Sequence, residues 1–167
     1  DIIDLKGFLD TLPAVSNQVA GHDLSFPFNI RRGVGTWKLL FLSSDPVLTL
    51  ADASEPAQRG QYLVEAPGHC GECHTKRDFM GGLKTVEWMA GAPNPEGRGV
   101  IPNITPHEEG LTWSESEIVD TFKTGFTPDF DTLGGSMSAV QEELSHLPHE
   151  DLQAIAAYLK VIPPLAD

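Results

Sequence analysis

Apolar residues recur at helical spacing in some stretches of the chain and lose all period in others. In residues 1–13, DIIDLKGFLDTLP, Ile2, Leu5, Phe8, Leu9 and Leu12 fall three and four residues apart, and Pro13 closes the run, which predicts an amphipathic helix. Residues 55–67 predict another. Pro56 suits the first helical position, Ser54 or Glu55 the cap, Leu63 the core face, and Pro67-Gly68 the stop. Gly60 costs that helix propensity, which close approach of a second helix would explain. Ser114 with Glu117, and Ser138 with Gln141, each read as a capping box. The first box opens a helix with Ile118, Val119 and Phe122 inward, ending at Gly125; the second opens one with Val140 and Leu144 inward. Pro148 starts the last helix, Leu152, Ile155, Ala156 and Leu159 face its core, and Pro163-Pro164 ends it. No stretch carries the two-residue alternation of a sheet, so the predicted fold class is all-α.

Two stretches have no period. Residues 14–50 are irregular yet apolar at Phe26-Pro27-Phe28 and Trp37–Leu42, with one short helix predicted at 36–42 and Gly33, Gly35 and Pro46 as punctuation. Packing against the following domain is the expectation for these side chains, with a docking surface for a partner subunit as the alternative. The division predicted is an N-terminal extension, 1–50, and a main domain, 51–167. Residues 151–163 align with 1–13 without a gap: Leu5 meets Ile155, Phe8 meets Tyr158, Leu9 meets Leu159 and Pro13 meets Pro163. A true repeat would make 1–13 the last helix of a preceding domain; a shared helix-then-proline grammar is the plainer account. The other stretch, 75–112, is rich in Gly and Pro. A loop of that length is unusual in a compact domain unless it wraps a bound group.

Charge narrows the partners. The net charge of -13 argues against nucleic acid and anionic lipid and favours steering toward a basic docking face. No apolar run approaches the ~20 residues of a membrane span. No signal segment opens the chain at Asp1, so a processed form is expected.

The chemistry concentrates in Cys70-Gly71-Glu72-Cys73-His74. This is the spacing of a c-type haem attachment site, in which two thiols bond one porphyrin and the adjacent imidazole ligates its iron. Both cysteines of the chain lie in it, so neither a disulfide nor a four-ligand zinc site has further thiols to draw on. A thioredoxin-like pair would want a βαβ setting, which the pattern lacks. Thioether attachment implies one covalent haem c and a compartment outside the cytosol. One histidine leaves a sixth iron position. Met137, on a Gly134-Gly135-Ser136 approach to a helix, competes with Met80 and Met89, and reach alone excludes neither. His22, His69, His107, His146 and His149 leave bis-histidine ligation open, with His107, His146 and His149 expected in solvent.

Several segments resemble bacterial c-type cytochromes of the small all-α fold: Arg59–Val64, Gly68–Thr75, Pro102-Asn103-Ile104-Thr105-Pro106, Gly110–Ser114, Thr124-Gly125, the Met137 segment and Leu147–Pro163. The likeness is greatest to multihaem cytochrome subunits of periplasmic alcohol, aldehyde and gluconate dehydrogenases, and Phe26–Arg31 resembles the connector between two of their haem domains. The resemblance implies that Cys70 and Cys73 hold the porphyrin, with His74 proximal and Met137 distal. It implies that Gly60 lets the first domain helix cross the last near Tyr158. Asn103, Ile104, Thr105 and Pro106 would line the haem and help satisfy its propionates, with Arg98 and Trp113 as further propionate candidates. Those cytochromes carry two or three haem motifs and this chain one, so it reads as a processed half of a dihaem protein or a monohaem descendant.

The function expected is periplasmic electron transfer, not catalysis, between a redox protein donor and acceptor. A permanent subunit of a dehydrogenase is the second expectation. A haem enzyme or gas-binding protein with an open sixth site is the third, and no distal acid–base pair supports it. Chemistry at a cysteine iron ligand would need a third cysteine.

Overall fold

The computed structural model describes every residue except Glu96 and Asp167. Its described residues form seven α-helices, one two-stranded antiparallel hairpin and a short 3-10 turn, in two compact units that meet in sequence between Leu42 and Ser43. The fold is therefore all-α, as the periodicity predicts.

The first unit holds α1 (Ile2–Leu9) and α2 (Arg31–Phe41). Helix α1 stops short of Pro13. Its last turn tightens into three-residue bonds, Thr11 N to Phe8 O and Leu12 N to Leu9 O, and the Thr11 hydroxyl also donates to Phe8 O. Helix α2 begins earlier than position 36. Gly33 and Gly35 lower its propensity without breaking it, and Trp37 and Phe41, one turn apart, stack with ring centroids 5.2 Å apart. No residue of either helix is buried.

The second unit contains α3 (Glu55–Glu65), α4 (Gly71–His74), the hairpin β1 (Ala92–Pro93) with β2 (Val100–Ile101), α5 (Glu115–Thr124), α6 (Ser136–Leu144) and α7 (His149–Val161). The strands pair Ala92 with Ile101 and Pro93 with Val100, two residues each, too short to register as alternation. The unit begins at Ser43 rather than near Leu50, because Val47, Leu48 and Leu50 pack on its core. Two bonds tie that strap to α3: Val47 N donates to Glu65 Oε2 at 2.8 Å and Gln61 Nε2 to Leu48 O at 2.6 Å.

The core sits where α3 crosses α7. Leu63 and Val64 meet Leu152, Ile155, Tyr158 and Leu159, and Ile118 and Val119 of α5 close the side. Gly60 lies at the crossing. A Cβ there would stand 1.9 Å from Ala154 O and 2.8 Å from Tyr158 Cβ. The missing side chain is thus what sets the helix separation. Arg59 seals the outer edge with a two-pronged pair to Asp151, at 2.9 and 3.1 Å. Ser114 and Glu117 form the capping box, and Gly125 ends α5 in the left-handed region with φ 78°.

Ser138 does not cap. Helix α6 starts three residues earlier, at Ser136 behind Gly135, whose φ is 59°, so Ser138 lies inside it and its hydroxyl donates back to Leu133 O at 2.6 Å. Gln141, predicted as the other half of that box, instead donates to Phe122 O at 2.9 Å and joins α6 to α5. Val140 is 45% exposed rather than inward, while Leu144 packs at the core's edge.

Candidate cofactor site

Helix α4 is one turn long, and that turn carries the chemistry. Cys70 caps it in helical geometry, and Cys73 N and His74 N both bond to Cys70 O, at 3.2 and 3.0 Å. At 100° per residue, Cys70, Cys73 and His74 fall within about a third of the helix circumference. Both thiols and the imidazole therefore leave the turn on one side. Helix α3 anchors this turn: Gly68 N reaches Leu63 O at 2.8 Å and Cys70 N reaches Val64 O at 3.1 Å. Trp88 presses on it, so that a Cβ on Gly71 would lie 2.1 Å from a carbon of the indole ring.

His74 is 9% exposed and held at three points. Its backbone N bonds to Cys70 O, its backbone O accepts from Gly91 N at 2.9 Å, and Nδ1 lies 2.8 Å from Pro102 O. A carbonyl only accepts, so Nδ1 carries the proton and Nε2 keeps its lone pair. Desolvation, outweighing the opposing bond to Pro102 O, holds the imidazole below its ordinary range and so favours the neutral, ligating form. Burial likewise pushes the Cys70 thiol up to about 11, while Cys73 is exposed.

Behind α4, Trp88 Nε1 donates to Tyr158 OH at 2.9 Å, and Tyr158 OH donates to Glu65 Oε1 at 2.7 Å. Tyr158 has no exposed surface, and burial, then the Glu65 carboxylate, raise its pKa strongly. This chain links the strap at Val47, through α3 and α7, to the indole under Gly71. Sequence reasoning missed it because its bonded members are 18 to 93 positions apart.

The methionines separate by environment. Met89 is fully buried in the core cluster, its N–H on Thr75 Oγ1 at 3.0 Å, and fills space there. Met80 is 46% exposed at the tip of a tight turn bonded through Asp78. Met137 is half-buried in the first turn of α6.

The Asn-Ile-Thr-Pro loop lies against the turn that holds His74. Asn103 and Thr105 are buried, and their polar atoms bond to each other and to Leu165. Ile104 packs on the core's edge and Pro106 is half-buried. Arg98 is exposed; Trp113 packs on the core, its carbonyl accepting from Lys160 Nζ at 2.9 Å. His146 and His149 are exposed, whereas His107 is half-buried, its Nδ1 accepting from Glu109 N at 3.2 Å.

The donor set fits haem c. Two thiols and an imidazole with a free Nε2 share one side of one turn. The chain on either side of Met137 leaves Phe126, Phe130 and Val140 at 57%, 92% and 45% exposure, apolar surface of the kind a porphyrin face covers. Among the described residues no three His, Cys, Asp or Glu side chains gather as a closed zinc site requires.

Comparison with known proteins agrees with this reading. Residues 55–159 match the family described as cytochrome c oxidase, cbb3-type, subunit III. The chain is 50% identical, over 99% of its length, to a "Diheme cytochrome c-type" protein of Cereibacter sphaeroides, of which it spans 55%. It is 35% identical over 86% of its length to the fructose dehydrogenase cytochrome subunit of Gluconobacter japonicus, spanning 30% of that protein. It is 33% identical over 96% of its length to the cytochrome c subunit of the quinone alcohol dehydrogenase of Gluconobacter oxydans, spanning 35%. The chain thus spans about half or less of each.

Proposed function

Because this chain belongs to the family of cytochrome c oxidase, cbb3-type, subunit III, a cytochrome c domain for electron transfer, we propose that it is a periplasmic electron carrier with one haem c between 43 and 167, ligated by His74 and Met137 and serving a dehydrogenase. The observation that carries this reading is His74: buried, with Nδ1 committed to Pro102 O and Nε2 left over, beside two thiols on the same helical turn. Haem bound there supplies a centre that takes and gives one electron. The protein's own residues hold it. Cys70 and Cys73 anchor the porphyrin edge, Pro102 O fixes the tautomer and plane of the imidazole, and the core beneath α4 keeps water from that face.

Met137 is favoured as the second ligand because Met89 is consumed by the core and Met80 sits, 46% exposed, in a tight turn bonded through Asp78. Dehydrogenase partnership is supported by the printed names of the fructose and alcohol dehydrogenase cytochrome subunits. The dihaem name of the Cereibacter relative, which extends well beyond the matched stretch, supports a second haem domain in the parent polypeptide, with 1–42 as connector.

The test is the absorption spectrum of the purified, reduced protein with and without carbon monoxide, alongside its mass. A low-spin spectrum indifferent to carbon monoxide, on a polypeptide heavier by one haem, is expected. Met137→Ala should admit carbon monoxide and Met80→Ala should not. A colourless product with the mass of the bare chain overturns the reading.

A further inference from the structure

Pro102 O is the only protein group bonded to the His74 ring among the described residues, so whatever aims that carbonyl aims the imidazole. The Pro102 carbonyl and the Asn103 N–H share one rigid peptide plane, so the setting of Asn103 fixes the direction of the carbonyl. Asn103 is in turn set by the C-terminal tail. Its Nδ2 donates to Leu165 O at 2.7 Å, and its Oδ1 accepts from Thr105 N at 2.8 Å. A backbone N–H cannot accept, so the amide has only one orientation here. Thr105 Oγ1 gives its single proton to the nearer acceptor, Asn103 Oδ1 at 2.8 Å rather than Leu165 O at 3.1 Å, and accepts from Leu165 N at 3.1 Å. The loop cannot slide. A Cβ at Gly91 would stand 2.9 Å from Ile101 O and 3.0 Å from Asn103 N, and one at Gly110 would stand 2.5 Å from Thr105 O.

We propose that the tail around Leu165 is a strap that positions the proximal imidazole, acting through Asn103 and Thr105 on the peptide plane of Pro102. Residues 103 and 105 are 6% and 0% exposed, with their hydrogen-bonding atoms turned to Leu165 and to each other, so their work is directed along the chain toward His74. The strap keeps the Nδ1–H···O bond short. A short bond raises the basicity of the imidazole toward a metal, which favours the oxidised state. Loosening the strap weakens that bond and raises the reduction potential. Thr105 and Asn103 are positioning residues; neither needs to touch the cofactor. This rests on the haem reading above.

The experiment compares Thr105→Val, Thr105→Ser and Leu165→Pro with the parent chain, each first weighed for covalent haem. Two quantities are read: exchange of the His74 Nδ1 proton by NMR, and the reduction potential. Thr105→Val removes the hydroxyl from both Leu165 N and Asn103 Oδ1; exchange should quicken about tenfold, as loss of a buried hydrogen bond allows, and the potential should rise. Thr105→Ser keeps the hydroxyl and should restore both. Leu165→Pro removes the tail's donor at a half-buried position and should move both in the direction of Thr105→Val, which keeps the test open if the valine variant does not fold. Unchanged exchange and potential in a folded, haem-loaded Thr105→Val or Leu165→Pro protein overturns the strap, as does a serine variant that behaves like the valine one. Absence of haem from the parent overturns the haem reading instead, and proton exchange at His74 in that cofactor-free protein still decides whether the strap holds the ring.

Discussion

Gly60→Ala sets two physical effects against each other at one atom. On helix propensity alone the change should stabilise α3 by about 1 kcal/mol. The crossing with α7 says otherwise. The added Cβ would stand 1.9 Å from Ala154 O, 2.6 Å from Ala154 C and 2.8 Å from Tyr158 Cβ. Two of those atoms are backbone and cannot swing aside, so α3 and α7 must part by roughly 1.5 Å to restore ordinary contact. Overpacking of this kind costs up to about 3 kcal/mol. The parting also stretches the two bonds at Tyr158 OH, worth about 1 kcal/mol together when weakened but not broken. After the propensity gain the net loss is about 3 kcal/mol, which lowers Tm by roughly 10 °C for a domain of this size. Urea and thermal denaturation followed by far-ultraviolet circular dichroism measure it. A variant as stable as the parent, or more so, would show that the helix separation is not set by Gly60 and that the α3–α7 seam yields freely.

Three other outcomes follow from single contacts. Ser114→Ala removes the capping box of α5 and should cost about 1 kcal/mol, read by urea unfolding. Hydrogen bonds from the Ser114 backbone N–H and hydroxyl hold the Glu117 carboxyl below the usual carboxylate range. A depressed folded-state pKa adds stability above the unfolded value and loses it as pH falls through the folded one, so stability should drop below about pH 4.5. Glu117→Gln should flatten that limb of the pH–stability curve, and an unchanged limb would refute the assignment. Tyr158→Phe strips Trp88 Nε1 and Glu65 Oε1 of a shared partner in the core and should cost about 2 kcal/mol, with a change in tryptophan fluorescence marking the freed indole.

What the chain reveals before folding follows the reach of each interaction. The α5 capping box spans four residues, and the haem motif spans five, so both are legible as written. The second box fails for the same reason that the first succeeds: Ser138 and Gln141 have suitable spacing, but Gly135 at φ 59° lets the helix begin earlier, and both side chains find partners elsewhere. Gly60 by its propensity alone signals a close approach without naming its partner, since Ala154 is remote in sequence; only the family resemblance points to the last helix near Tyr158. The short hairpin around Ala92 and Ile101 leaves no periodic trace, being held by two residue pairs and by loop bonds.

The site divides in the same way. A single turn of helix brings two sulfurs and one imidazole to one side, so local sequence suffices to declare the chemistry. Which nitrogen of His74 is free depends on a carbonyl 28 positions away, and the direction of that carbonyl depends on a tail 62 positions beyond Asn103. Neither dependence leaves a pattern in the sequence, because a backbone acceptor has no side-chain identity to read. Chains that share the five-residue motif can therefore share a cofactor while differing in how firmly the ligand is held. In this chain the difference lies with residues such as Thr105 and Leu165, which meet no periodic, capping or metal-ligand signature and carry weight only once the tail has folded back on the loop.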